Sequence, residues 1–299
     1  MTEIVIISGK GGTGKTSLTA SFAALAPKTV VADCDVDAAD LHLILAPRIL
    51  QRTDFISGHE AVIRGDACTG CGTCRTLCRF EAVSRNGSSG RYEIGPAGCE
   101  GCGVCVHFCP AKAIDFPQRL CGEWYVSETR FGPMVHARLG IAAENSGKLV
   151  SLVRKEAQRL AVEREADLLL VDGPPGIGCP VIASITGVDL VLVVTEPTRS
   201  GKHDLERVLR LARHFKVPAC VCVNKWDINP ELTEQIENES RLSGATVLGR
   251  IPYDRTVTAA QIAGQSATEY GGGPASKAIL EIWETLRRMA SPTNKRRES

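Results

Sequence analysis

GKGGTGKT, residues 9–16, is the stretch on which the fold of this 299-residue chain turns. It fits the pattern G-x-x-x-x-G-K-S/T, and its flanks are those the pattern needs. An apolar strand-like run, EIVIIS (3–8), precedes it and a helix-forming stretch, TSLTASFAALA (16–26), follows. Gly9, Gly11, Gly12 and Gly14 let the backbone curl until its N–H groups face the oxygens of a phosphate, and the helix start adds positive potential. Lys15 is suited to neutralise the β and γ charge of a nucleotide and Thr16 to offer a hydroxyl to Mg²⁺. Thr13 and Ser17 complete the nucleotide-contacting candidates.

Outward from the loop, short apolar runs recur at TVVAD (29–33), DLLLVD (167–172), DLVLVV (189–194) and PACVCVN (218–224), as buried parallel strands do. Helical stretches separate them, notably KLVSLVRKEAQRLAVERE (148–165) and KHDLERVLRLARHF (202–215). The pattern predicts an α/β fold with a doubly wound, mostly parallel sheet. ASKAILEIWETLRRMA (275–290) carries Ile279, Leu280, Ile282, Trp283 and Leu286 on one stripe and reads as a closing helix on that sheet. The tail from Ser291 is expected to be disordered.

Between these strands the sequence repeats itself. CTGCGTCRTLCRFEAV (68–83) and CEGCGVCVHFCPAKAI (99–114) are copies at an offset of 31, and eight of the thirteen cysteines lie in them. Strand-like pieces EAVIRGDA and RYEIGPAG precede the two copies, and NGSSG (86–90) connects them. Two C-x₂-C-x₂-C-x₃-C runs, the second followed by Pro110, form the bacterial two-cluster ferredoxin pattern, in which the fourth cysteine of each run serves the other cluster. Cluster I is therefore assigned Cys68, Cys71, Cys74 and Cys109, and cluster II Cys99, Cys102, Cys105 and Cys78. Zinc also suits C-x₂-C pairs, but eight cysteines in a duplicated spacing favour two [4Fe-4S] clusters. Arg79 stands where a proline usually follows the first run, which removes no ligand.

The expected organisation is a P-loop ATPase domain in two pieces, 1–57 and 119–290. A small α+β ferredoxin domain, 58–118, is inserted between them, and a tail, 291–299, follows. With 35 basic and 34 acidic residues the net charge is +1, so bulk attraction to nucleic acid or anionic lipid is not expected. The start MTEIVIISGKGG leaves no room for a signal peptide and no apolar run reaches spanning length, so a cytoplasmic location is expected.

The loop holds a second lysine, Lys10. Together with VADCDVD (31–37) and DGPPG (172–176) it makes the α/β part resemble the deviant Walker ATPases, the superfamily of MinD, ParA, Mrp and nitrogenase iron protein. That resemblance implies a lysine reaching across a dimer interface to the partner's nucleotide, although a surface lysine can also merely solvate its loop. It implies that Asp35 positions and polarises the attacking water, Asp33 supports the Mg²⁺ shell, Asp172 holds the metal and Gly176 is the switch glycine sensing the γ-phosphate. Asp37 and Asp40 read as helix caps. NKWD (224–227) matches the guanine-reading N-K-x-D of GTPases, whereas the deviant ATPases use an asparagine there for adenine. Asn224 and Asp227 are thus base-contacting candidates, with ATP favoured over GTP.

Five cysteines remain. Cys34, Cys220 and Cys222 read as small packed groups. Cys179, seven residues beyond Asp172, resembles a bridging-cluster cysteine of nitrogenase iron protein, with Cys121 as its unplaced companion. Over nearly the full chain, including the join GEWYVSETRFGPMVHARLG (122–140) and ENSGKLV (144–150), the sequence resembles MinD-superfamily ATPases with an inserted ferredoxin domain. The function expected is a Mg²⁺-dependent ATPase, paired as a homodimer or with a paralogue, that couples ATP to electron transfer toward a redox or iron–sulphur acceptor protein. The alternative is a cluster carrier of the Mrp type.

Overall fold

Strand Thr2–Ser8 is buried along its whole length, as a strand covered by helices on both faces must be, and its sequence TEIVIIS is correspondingly apolar. It pairs in parallel on one side with Leu168–Pro175, Ile4 opposite Leu170, and on the other with Leu190–Thr195, Ile4 opposite Leu190. The computed structural model describes residues 1–140 and 145–290. The expectation of a disordered tail from Ser291, and residue 144 of the ENSGKLV join, lie outside the described residues.

The nine-stranded sheet runs, in spatial order, Thr246–Ile251, Ala219–Asn224, Leu190–Thr195, Thr2–Ser8, Leu168–Pro175, Thr29–Asp33, Gly132–Leu139, Gln118–Thr129 and Arg48–His59. The pairings from Thr246–Ile251 through Gly132–Leu139 are all parallel. Asp33 sits level with Asp172, so the carboxyl ends of the central strands bring their polar residues to one edge, where α/β sheets bind ligands. On one face the core gathers Leu18, Phe22, Leu41, Ile279, Ile282, Trp283 and Leu286, with the Phe22 and Trp283 rings 5.0 Å apart. The closing helix Pro274–Ala290 thus packs as its stripe requires, except that Leu280 is exposed.

Four strands go beyond the five runs seen in the sequence. Thr246–Ile251 extends one edge of the sheet, and Arg48–His59 closes the other. Gln118–Thr129 and Gly132–Leu139 are joined by two residues, and the Thr129 hydroxyl donates to the Gly132 carbonyl (2.7 Å) and accepts the Phe131 N–H (3.1 Å). The segment expected as a mere join is therefore a hairpin.

The chain forms two compact units, one of Met1–Thr53, Trp124–Arg138 and Ser146–Ser299, the other of Asp54–Glu123 and Leu139–Asn145. The second unit holds two antiparallel ribbons, Val62–Ile63 with Ile114–Asp115 and Val83–Arg85 with Tyr92–Ile94. Its short helices Thr73–Leu77 and Val104–His107 pack against each other. Among the described residues no helix is long and apolar enough to cross a membrane.

Candidate functional site

At the carboxyl edge of the sheet, Gly14 takes a left-handed conformation (φ 93°) just before helix Lys15–Leu25. A Cβ there would stand 2.5 Å from the Asn224 amide nitrogen, so both backbone and space demand glycine. Asn224 donates this amide to the Thr13 carbonyl (2.8 Å), tying the end of its strand to the loop. Around the loop lies a cavity of about 1060 Å³ lined by Gly11, Gly12, Gly14, Lys15, Thr16, Ser17 and Asp35. A second, of about 690 Å³, shares Gly12, Gly14 and Ser17 and continues past Asn224 to Tyr253 and Asp254.

Four ionisable groups meet beneath the loop. Lys15 is buried and its Nζ is 3.4 Å from Asp35 Oδ2. Burial raises the Asp35 pKa above the ordinary carboxylate value, against the pull of Lys15. Asp33, fully buried, accepts the N–H groups of Asp35 (3.1 Å) and Leu41 (3.3 Å). Burial and then the Asp172 charge push its pKa well up. Asp172 is raised to about 6, chiefly by burial, while Lys15, the Thr16 hydroxyl and the Thr19 hydroxyl act to lower it. Thr19 donates to Asp172 Oδ1 (3.1 Å), but Oδ2 has no partner among the described residues, nor does the Thr13 hydroxyl. A buried carboxylate oxygen left open beside a threonine hydroxyl is the donor set of a hard divalent cation, so these residues fit Mg²⁺.

Gly176, at φ 91°, donates its N–H to the Ser8 carbonyl (2.9 Å). Asp40 occupies the N-cap position of helix Leu41–Leu45 but its side chain makes no capping bond, and Asp37 lies in a turn. Asp227 Oδ1 accepts the Tyr253 N–H (2.7 Å), so it fastens one wall of the second cavity. Lys10 Nζ lies 2.5 Å from Glu196 Oε1 in its own chain. Nothing in the sequence marked Glu196, because an acidic residue after a strand carries no motif.

In the smaller unit, Cys68, Cys71, Cys74 and Cys109 line a single small pocket with Ile63, Tyr92 and Ile114. Left-handed glycines wrap the chain there, and they repeat at the offset of the sequence copies: Gly70 with Gly101, and Gly72 with Gly103. Ala113 donates its N–H to Cys109 Sγ (3.3 Å), and the Thr73 hydroxyl, 3.4 Å from Cys71 Sγ, holds that thiol below its ordinary pKa. Burial raises Cys74, with the charges of Cys68 and Cys71 adding to it. Burial likewise raises Cys105, with Cys99 and Cys102 adding. Cys78 ends the helix Thr73–Leu77 and bonds its N–H to the Cys74 carbonyl (3.2 Å). Among the described residues no three His, Cys, Asp or Glu side chains converge closely enough to hold one metal ion.

The profile of the CobQ/CobB/MinD/ParA nucleotide-binding domain matches residues 4–267. This chain belongs to the CobQ/CobB/MinD/ParA family. As a member it is similar to an uncharacterized protein of Methanocaldococcus jannaschii, 35% identical over 230 residues that cover 76% of this chain and 79% of that one. It is also similar to the iron-sulfur cluster carrier protein of Pyrococcus furiosus, 28% identical over 154 residues, which cover 47% of this chain and 52% of the carrier. The fold matches the septum site-determining protein MinD of Pyrococcus horikoshii, solved with Mg-ADP. The TM-score is 0.57 at 17% identity, with 97% of each chain covered. The P-loop NTPase domain of this MinD/ParA-family chain is accordingly a nucleotide-binding one.

The remaining cysteines of the family member divide clearly. Cys34, Cys220 and Cys222 are fully buried, and burial pushes the last two thiols up to about 12. Cys121, named as the companion of Cys179 in a third cluster, is buried and donates its thiol to the Ser57 carbonyl (3.0 Å). Cys179 is exposed at the start of helix Cys179–Ile185.

Proposed function

We propose that this chain is a Mg²⁺-dependent ATPase, working as a pair of protomers, whose inserted unit 58–118 is a two-cluster ferredoxin domain. In this reading nucleotide binding and hydrolysis are coupled to electron transfer toward a partner protein. The observation that carries it is the ring of Cys68, Cys71, Cys74 and Cys109 around one cavity in a chain whose larger unit is a P-loop nucleotide-binding domain. Eight cysteines in a duplicated C-x₂-C-x₂-C-x₃-C spacing suit two cubanes better than a zinc ion. Cys99, Cys102 and Cys105, with Cys78 from the first run, would hold the second cluster. Bound clusters would accept and release single electrons.

The chain's own residues would work as follows. Loop N–H groups from Gly9 to Thr16 seat the phosphates, and Lys15 leaves Asp35 for the β and γ oxygens. Asp35, released, orients the attacking water. Asp172 and the Thr16 hydroxyl hold Mg²⁺, with Asp33 fixing the loop that carries Asp35. Gly176, which follows the strand bearing Asp172, would register the γ-phosphate by giving up the Ser8 carbonyl that its N–H now holds. Adenine is favoured over guanine because the motifs around Asn224 resemble those of the deviant Walker ATPases, which use an asparagine there for adenine. Lys10 is the residue that would cross to the partner.

A second reading, a cluster carrier, is favoured by the partial likeness to the Pyrococcus carrier. It is weakened by Cys121, whose thiol is buried and bonded. The two separate in one experiment on anaerobically purified, iron-loaded protein given ATP, with an apo acceptor and an oxidised electron acceptor together. Electron transfer without loss of iron supports the first reading, and iron passing to the apo acceptor supports the second. Absence of acid-labile sulphide in the purified protein would refute both.

A further inference from the structure

Lys10 does not point into solvent. Its Nζ has three partners on one segment of the same chain: Glu196 Oε1 at 2.5 Å, Thr198 Oγ1 at 3.2 Å and Ser200 Oγ at 3.3 Å. That segment is firmly held. It leaves the buried strand Leu190–Thr195, and Thr198 caps helix Arg199–His214 by accepting the Gly201 N–H (3.0 Å). A Cβ on Gly201 would come within 2.5 Å of the Glu196 carbonyl, so the turn is packed tight. Glu196 also binds a second lysine, Lys225, through its other oxygen (3.3 Å), and Lys225 reaches the Gly12 carbonyl at the same distance. Burial acts to raise the Glu196 pKa, yet both lysines hold it below its ordinary value, so it stays a carboxylate.

We infer that Glu196 is a positioning residue that keeps Lys10 bound within its own protomer, and that Lys225 retains the Glu196 charge when Lys10 leaves for a partner's nucleotide. The inference rests on the paired-protomer reading above. Its physical content is a competition. Lys10 cannot serve the neighbouring site until the Glu196 pair opens, and opening is made easier because Lys225 spares a half-buried carboxylate from being left alone. Glu196 would therefore set the nucleotide and protein concentrations at which dimers form. It does not take part in the chemistry.

The test is sedimentation of the iron-loaded holoprotein with Mg²⁺ and a non-hydrolysable ATP analogue. Glu196→Gln keeps the shape but removes the charge. A part-exposed pair of this kind is worth about threefold, and both protomers release one, so dimers should form at about tenfold lower protein concentration. Lys225→Met should act in the opposite sense, raising that concentration by up to about tenfold because both protomers lose the lysine, and its effect should vanish in the Glu196→Gln background. Simple damage to the fold would weaken dimers in both variants, and thermal melting and monomer nucleotide affinity are measured alongside to expose it. A wild-type dimer that Glu196→Gln leaves unchanged or weakens overturns the inference alone. If neither wild type nor any variant forms a dimer, the paired-protomer reading falls and the inference with it.

Discussion

Asp172 is a carboxylate held where a carboxylate is costly, and replacing it with asparagine should make the nucleotide-free protein more stable while disabling it. Its pKa stands at about 6 against an ordinary 3.8, raised mainly by burial. A group that binds its proton more tightly when folded destabilises the native state as pH rises from the unfolded value through the folded one. The full effect is present above about pH 6 and corresponds to about 3 kcal/mol. Asparagine imitates the protonated acid and can still accept from Thr19. Asp172→Asn should thus raise the melting temperature by roughly 6 °C at pH 7.5 in EDTA, and by only about half of that at pH 5, where the folded wild-type group is mostly protonated while the unfolded one is still ionised. Hydrolysis should fall roughly a hundredfold or more with the metal ligand gone. A variant less stable than wild type at pH 7.5, or a gain equal at both pH values, would refute the reasoning.

Other perturbations test other parts of the site. Gly14→Ala puts a Cβ 2.5 Å from the Asn224 amide at φ 93°, and isothermal titration should find nucleotide binding lost, with about 1–3 kcal/mol of destabilisation in chemical denaturation. Asp227→Ala should leave the ratio of ATP to GTP hydrolysis rates unchanged while loosening the Tyr253 wall, and a swing toward or away from GTP would show that the carboxylate reads a base after all. Cys74→Ser should remove about half of the iron and acid-labile sulphide of the anaerobically purified protein, whereas Cys179→Ser should remove none.

Much of this was legible because the residues concerned satisfy strong local constraints. The loop 9–16 admits few other readings between a buried strand and a helix, and strands such as Leu190–Thr195 announce themselves by being apolar at every position. The duplication was visible as spacing, and the left-handed pairs Gly70 with Gly101 and Gly72 with Gly103 repeat it in the backbone. What escaped notice lacks that signal. Arg48–His59 is a strand with eleven of its twelve residues partly or fully exposed, so it shows no alternation to read. Thr246–Ile251 buries only Ile251. Leu280, which the sequence places on the helical stripe, is exposed, because the buried positions Ile279, Ile282, Trp283 and Leu286 follow the i, i+3, i+4, i+7 spacing and Leu280 stands beside it. The NKWD pattern could not show that its aspartate also accepts the Tyr253 N–H, a contact made by a residue 26 positions further on. The cis partner of Lys10 lies 186 residues away in sequence and could come only from the fold.

The coupling itself is tested most directly by a potentiometric titration of the cluster signals in the holoprotein, without nucleotide and with Mg²⁺ and a non-hydrolysable ATP analogue. A nucleotide-bound state that differs at the clusters should shift at least one midpoint potential by on the order of 50 mV, about tenfold in a one-electron equilibrium, or change the rate at which an external oxidant discharges it. Identical potentials and identical oxidation rates in both states would contradict the account.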